Sequence, residues 1–344
     1  MNTKRLLELD ALRGLAALAV VIFHYLYRYD EIYGHDTLNV EWSYLGKYGV
    51  HLFFMVSGFV IFWTLNRIER PLDFVISRFS RLYPAYWLAV ILTFGVVYIF
   101  GLPGREVDIQ TAVLNFLMFQ EYLRISHVDG VYWTLTVELT FYFWVFVLYA
   151  FSQLRWVELI FTCLVLASVL NSLGYIEVHP AIYKLFLMKY IALFLSGICF
   201  FNIVNKSKSK LTLISLTIAL LSSVFIFSLE VFLIIAIFHV VFYLSVTGRI
   251  KFMTHKSLVF LGGLSYSLYL LHQNIGYVII NLSYDMQFNP WVGIICATVI
   301  SLLFATMSMK FVEKPALSYI RRRYNSSDKI QKLASKMTVL RGNS

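Results

Sequence analysis

The chain has 344 residues, 59% of them hydrophobic and 14% charged, where soluble domains carry roughly a quarter charged residues. That balance excludes a soluble globular fold and predicts a polytopic membrane protein. The net charge of +10 does not point to nucleic acid, because the basic residues fall mainly in short loops between apolar runs.

Lys4 and Arg5 precede the first apolar stretch and no small-residue cleavage site follows, which reads as a retained signal-anchor. Ten apolar spans follow, near 11–29, 48–65, 83–102, 131–151, 156–173, 185–204, 211–228, 231–247, 258–280 and 291–311. The predicted fold is an all-α integral membrane protein with about ten transmembrane helices. With the N-terminus inside, 23 of the 29 Lys and Arg fall on the cytoplasmic side, so the positive-inside rule places both termini in the cytoplasm. The outer loop 103–130 holds a semi-apolar piece, Ala112 to Phe119, expected to be re-entrant or to lie on the membrane. Residues 1–315 are expected to form one transmembrane domain. Residues 316–344 are basic and expected to be a cytoplasmic tail, helical at the surface and then fraying. Cys163, Cys199 and Cys296 lie in apolar segments without pairing or metal spacing and read as packing residues.

The first span carries Arg13 and His24. Eleven residues at 100° each return to nearly the same helix face about 16 Å further on. Ionisable groups inside a span are costly and mark function by default. Glu138 is the one carboxylate expected well inside a span, at a depth like that of His24, so the two form a candidate acid/base pair or a structural bridge. Ser265, Tyr269 and His272 share a polar helical stripe, suited to substrate contact or to hydrogen bonding between helices. His51 is expected at the outer interface and His239 in a satisfied packing role. Arg78 and Arg81 lie on a short helix expected to end before Pro84. They read as a lipid-facing basic surface or as a guanidinium clamp for phosphate. No acidic or histidine cluster has metal-ligand spacing.

Taken in order, several segments resemble the acyltransferase 3 family of integral membrane acyltransferases. They are Leu9-Asp-Ala-Leu-Arg13-Gly with His24, Gly49-Val-His-Leu-Phe-Phe-Met-Val-Ser57-Gly-Phe, and Arg78-Phe-Ser-Arg81-Leu-Tyr-Pro84-Ala-Tyr86. Trp133-Thr-Leu-Thr-Val-Glu138 with Phe141-Tyr142, Ser265 to His272, and Glu313-Lys-Pro315 complete the set. The resemblance covers about Leu9 to Pro315. It implies ten core helices and transfer of an acyl group, usually acetyl from acetyl-CoA, to a hydroxyl of an extracytoplasmic glycan or glycolipid. It implies His24 as the catalytic residue with Glu138 as the motif carboxylate, and Arg13, Arg78 and Arg81 on the donor. Trp133, Tyr142, Ser265, Tyr269 and His272 are then the expected acceptor contacts. Two positions depart from the family pattern. A second Glu and a Gln are common where Leu139 and Thr140 stand, and an acidic residue is common at His51.

That chemistry suits the spacing. The CoA phosphates stay among the inner arginines, and a pantetheine arm reaching as far as about five extended residues, roughly 16–18 Å, brings the thioester to His24. His24 then serves as a base or as an acyl-carrying relay, and the sequence does not separate the two. The expected enzyme is an O-acetyltransferase of a bacterial inner membrane, with lipopolysaccharide O-antigen or another surface polysaccharide as acceptor. Its expected partners are acetyl-CoA, the glycan and membrane lipids, with no permanently bound cofactor and no nucleic acid. The competing reading is a proton-coupled transporter or flippase using His24 and Glu138, which the missing internal repeat disfavours.

Overall fold

The computed structural model describes residues 6–35, 37–207 and 209–336, and these are helical with no strand among them. Lys4, Arg5 and the end of the expected tail, 337–344, lie outside the described residues. Seven stretches are long and apolar enough to cross a membrane: Leu7–Tyr33, Glu41–Leu65, Pro71–Phe100, Gly130–Ala150, Leu154–Ser172, Leu229–Val246 and Pro290–Ser326. Three shorter apolar helices, Ile191–Val204, Lys210–Ile226 and Lys256–Leu271, occupy the remaining predicted segments. Leu233, Ile237 and Val240 on one such stretch are more than half exposed, as expected of side chains facing lipid.

The centre of the molecule is set by two close helix pairs. Helix α1 (Leu7–Phe23) packs on α12 (Lys256–Leu271), and α3 (Gly49–Leu65) packs on α9 (Ile191–Val204). Apolar helices in lipid gain little from burying more hydrocarbon, so close backbone approach at small residues supplies the attraction. A side chain added at Gly14 would begin 2.6 Å from the Gly262 nitrogen, and one at Gly262 would begin 2.0 Å from the Asp10 carbonyl oxygen. Gly58 and Gly197 play the same part between α3 and α9.

Two expectations about elements need correction. The span expected at 258–280 is broken at His272 into α12 and α13 (Gln273–Asp285). The broken ladder is repaired by side chains. His272 Nδ1 donates to the Tyr269 and Leu268 carbonyls at 2.9 and 3.2 Å, and Tyr132 donates to Leu270 at 3.4 Å. The freed Asn274 amide donates to Asp129 at 3.0 Å. The helix holding Arg78 and Arg81 does not end before Pro84 but runs through it as α4 (Pro71–Phe100). Pro is tolerated inside a span, and one turn-mate of Pro84, the Leu82 carbonyl, also accepts from the Tyr266 hydroxyl. At the start of the tail region, α14 (Pro290–Ser308) continues through a π-turn into the helix α15 (Lys314–Ser326), whose buried Tyr324 donates to Asp73 at 2.5 Å.

In the 103–130 segment, α5 (Ile109–Asn115) is followed by irregular backbone. Its carbonyls at Asn115, Phe116 and Leu117 accept from Tyr86, Trp87 and Tyr83 of α4. Non-helical backbone packed on a span must be satisfied by protein in this way.

Candidate active site

Two cavities meet in the middle of the bundle. The first, about 100 Å³, is lined by Arg13, Arg78 and Arg81 together with Ser57, Glu138, Tyr142, Ser265 and Tyr269. The three arginines expected to act together therefore share one chamber. Arg78 is held loosely: one guanidinium nitrogen donates to Thr64 and Ser77 at 3.3 and 3.1 Å, and its buried Nε has no partner. Arg81 pairs with Glu313, which also accepts from Ser267 at 3.0 Å. Glu313 is 2% exposed. Its buried pairing with Arg81 is not evident from its place in the Glu313-Lys-Pro315 motif beyond the last span, although a lone carboxylate at the end of a long apolar run is a signal for such a role. Glu158, bonded to Thr212 and Asn202, is a second buried carboxylate at the edge of a span.

The second cavity, about 660 Å³, is lined by His24, Trp133, Lys47, Arg105 and Gln273 among others. Val50 and Tyr269 line both chambers and form the wall between them. Tyr269 is fixed there by its hydroxyl, which lies 2.9 Å from Thr134 Oγ1.

His24 and Glu138 line different chambers, so the expected acid/base pair between them is not formed. Glu138 instead accepts hydrogen bonds from Ser57 and from Tyr142, the latter at 2.5 Å, beside Arg13. The partner of His24 is His272, with His24 Nδ1 and His272 Nε2 3.0 Å apart. Of the two readings of His272, the structure shows the hydrogen bond between helices. The residue is fully buried, lines neither cavity, and sits behind His24. Ser265 lines the arginine chamber, with its hydroxyl given to the Gly262 carbonyl at 2.8 Å. Trp133 lines the His24 chamber and Tyr142 the arginine chamber, so the expected acceptor contacts divide between the two.

The tautomers follow from what each neighbour accepts. Carbonyls only accept, so His272 Nδ1, bonded to two carbonyls, carries the proton, and in the neutral ring Nε2 presents a lone pair. His24 Nδ1 faces that lone pair and also the Val20 carbonyl at 2.9 Å. It must therefore carry its own proton. His24 Nε2 is left with a lone pair and takes no hydrogen bond among the described residues, as a base requires. His24 is also the first residue of a π-turn, His24–Arg28, inside an otherwise α-helical run. Such turns are frequent at functional sites.

Around this pair the structure supplies support the sequence did not reveal. Tyr25 donates to the His272 carbonyl at 2.7 Å and lies 2.7 Å from Ser301 Oγ. Asp129, fully buried outside the spans, accepts from the Asn274 and Val131 amides. Burial pushes its carboxyl up to about 6, against the pull of those amides and of Arg105. His51, expected at the interface, is instead enclosed by Tyr48, Tyr190 and Phe227. His239 is bonded to Ile235 O and Ser196 Oγ at 2.8 and 2.9 Å, a satisfied packing histidine.

Residues 6–309 match the family described as an acyltransferase domain, acyltransferase 3. The chain belongs to this family. Its apolar helices make it a multi-pass membrane protein. It is similar to an O-acetyltransferase OatA of Staphylococcus aureus, 24% identical over 89% of this chain and 56% of that protein. It is also similar to the peptidoglycan O-acetyltransferase OatA of Listeria monocytogenes, 28% identical over 44% of this chain and 25% of the relative. Acyltransferase MdmB of Streptomyces mycarofaciens is 29% identical over 40% of this chain and 38% of its own length. The chain thus spans from a quarter to just over half of these relatives. No solved structure matches.

Proposed function

We propose that this acyltransferase moves an acetyl group from acetyl-CoA, held on the arginine side of the membrane, to a hydroxyl of a glycan entering from the other side. The observation that carries the reading is the pair of chambers meeting at Tyr269 and Val50, one with three arginines and the other with a base-ready histidine. The phosphates of CoA cannot enter hydrocarbon, and Arg78, with an unpartnered buried Nε, is the guanidinium most ready to receive them. Arg13 stands further in, about 16 Å along the helix from His24, a distance the pantetheine arm can cover.

At the meeting point, His24 Nε2 takes the proton of the acceptor hydroxyl as its oxygen attacks the thioester carbonyl. The C–S bond breaks, and the imidazolium returns the proton to the departing CoA thiolate. His272 holds the Nδ1 proton of His24 throughout, so Nε2 is the nitrogen that takes the proton and returns it. A transient acetyl on Nε2 would use the same geometry. Glu138, held by Ser57 and Tyr142 beside Arg13, acts on the donor side and not on the histidine.

Together with the relatives named as O-acetyltransferases, the arrangement favours a surface polysaccharide acceptor, lipopolysaccharide O-antigen foremost, in a bacterial inner membrane. Both termini and the arginine chamber then face the cytoplasm. The test compares O-acetyl esters on purified surface polysaccharide from cells lacking the gene, carrying wild type, or carrying His24→Ala at matched protein level. Esters in wild type only are expected, with the variant down at least about 10²-fold, the usual worth of a general base. Unchanged esters together with altered glycan export would favour transport instead.

A further inference from the structure

The His24 chamber carries charge that the transfer itself does not use. Of its cations, Arg28 is neutralised by Glu31 at 2.8 Å. Arg105 and Lys47 have no carboxylate within 4 Å among the described residues. Lys47 is held over the Tyr44 ring, 3.3 Å from its centroid, and Arg105 lies 5.1 Å from the Tyr277 centroid and 3.3 Å from Asn274 Oδ1. The nearby carboxylate of Asp129 is turned to backbone amides.

Beside these cations, Gln273 is 3% exposed and its buried Oε1 has no partner. A buried acceptor left open costs free energy and suits a ligand that donates from a hydroxyl. The structure keeps room for the group: a side chain on Gly130 would begin 2.9 Å from Gln273 Oε1 and 3.3 Å from an Arg105 guanidinium nitrogen. Trp133 and Tyr27 line the same chamber and offer aromatic faces.

We infer that the acceptor site is built for an anionic saccharide, with Arg105 and Lys47 receiving its carboxylate or phosphate and Gln273 Oε1 receiving one of its hydroxyls. This rests on the transferase reading and deepens it by naming the acceptor class. The arrangement also serves the reaction. The base becomes cationic as it takes the hydroxyl proton, and an anion seated between two nearby cations compensates charge that would otherwise build up in a low-dielectric chamber.

The test is direct binding to the purified full chain in nanodiscs, using trigalacturonate and neutral maltotriose. Wild type is expected to prefer trigalacturonate by about tenfold or more, the scale of one charge-assisted contact. Lys47→Gln and Arg105→Gln should each erase most of that preference. Lys47 lies at the rim on a short 3-10 segment, so its variant tests the idea even if Arg105→Gln folds poorly. Equal binding of the two sugars by wild type, or a preference intact in Lys47→Gln and in folded Arg105→Gln, overturns the inference. Displacement of trigalacturonate by glucose 6-phosphate but not by galacturonate assigns the site to phosphate, and the reverse assigns it to carboxylate. A parallel assay with labelled acetyl-CoA separates the two readings. Charge-dependent binding without acetyl transfer removes the transferase reading and leaves the anion site standing.

Discussion

His24 is held by neighbours that leave it one useful nitrogen. Its Nδ1 is committed to Val20 and His272, so the ring cannot turn its proton toward the chamber without losing both. His272 is in this account a positioning residue. His272→Leu is expected to lower kcat by roughly 10–100-fold, as for other partners that orient an imidazole, while leaving the KM for acetyl-CoA within about twofold. His272→Gln, which restores an acceptor oxygen, should recover part of the loss. Steady-state kinetics on both variants check this, and equal losses in the two would mean that His272 only packs. Arg13 and His24 stood out in the sequence because polar groups in an apolar run are conspicuous. Their partners did not. The His24–Glu138 pairing failed because similar depth along two helices says nothing about which faces meet, and Asp129 was invisible because its task exists only where α13 starts afresh.

At the scale of elements, the helix pair α1 and α12 decides where the histidines sit. Gly262→Val would place methyl groups where the Asp10 carbonyl already lies. The expected result is destabilisation by about 1–3 kcal/mol or more, seen as a lower unfolding temperature in detergent, with acetyl transfer falling further than protein level. Retained activity in a destabilised protein would show that the helix contact is not what aligns the site. The spans were legible because hydropathy reports burial in lipid directly. The break at His272 was not, since the segment stays apolar and the lost backbone bonds are replaced by His272, Tyr132 and Asp129 side chains from separate regions of sequence. Pro84 misled for a different reason: the rule that proline ends a helix comes from soluble proteins, and inside a membrane span a proline is tolerated within a continuing helix.

Across the whole molecule, the chambers share Tyr269 and Val50, and the loop carrying Asp129 ties the two halves of the broken helix to the fourth long span. That tie titrates. Burial raises the Asp129 carboxyl to about 6 in the folded protein, against about 3.9 in an unfolded chain. The fold thus favours the protonated form, so this contribution to stability is fullest below about pH 4 and is lost as pH rises toward 6. Asp129→Asn should remove that decline, and unfolding temperatures of wild type and variant from pH 4 to 7.5 should converge or diverge accordingly. Parallel curves would show that Asp129 does not change protonation. The site as a whole was legible only in outline: the residue types were visible, but the partition into two chambers depends on how Tyr269 and Val50 come together, which no single helix encodes.

The contact of Gly14 with Gly262 and that of His24 with His272 span the same 248 residues, so α1 and α12 run side by side in one direction like two rulers with matched graduations. Adding one residue to α1 between positions 14 and 24 would swing His24 by about 100° away from its partner. Adding one to α12 as well would only swing His272 off the shared face too, whereas adding two turns, about seven residues, to both would bring the histidines back to within about 20° of each other and move them about 10 Å further from the arginine. The reach demanded of the donor is therefore a length that this protein can change only by altering two distant segments in step.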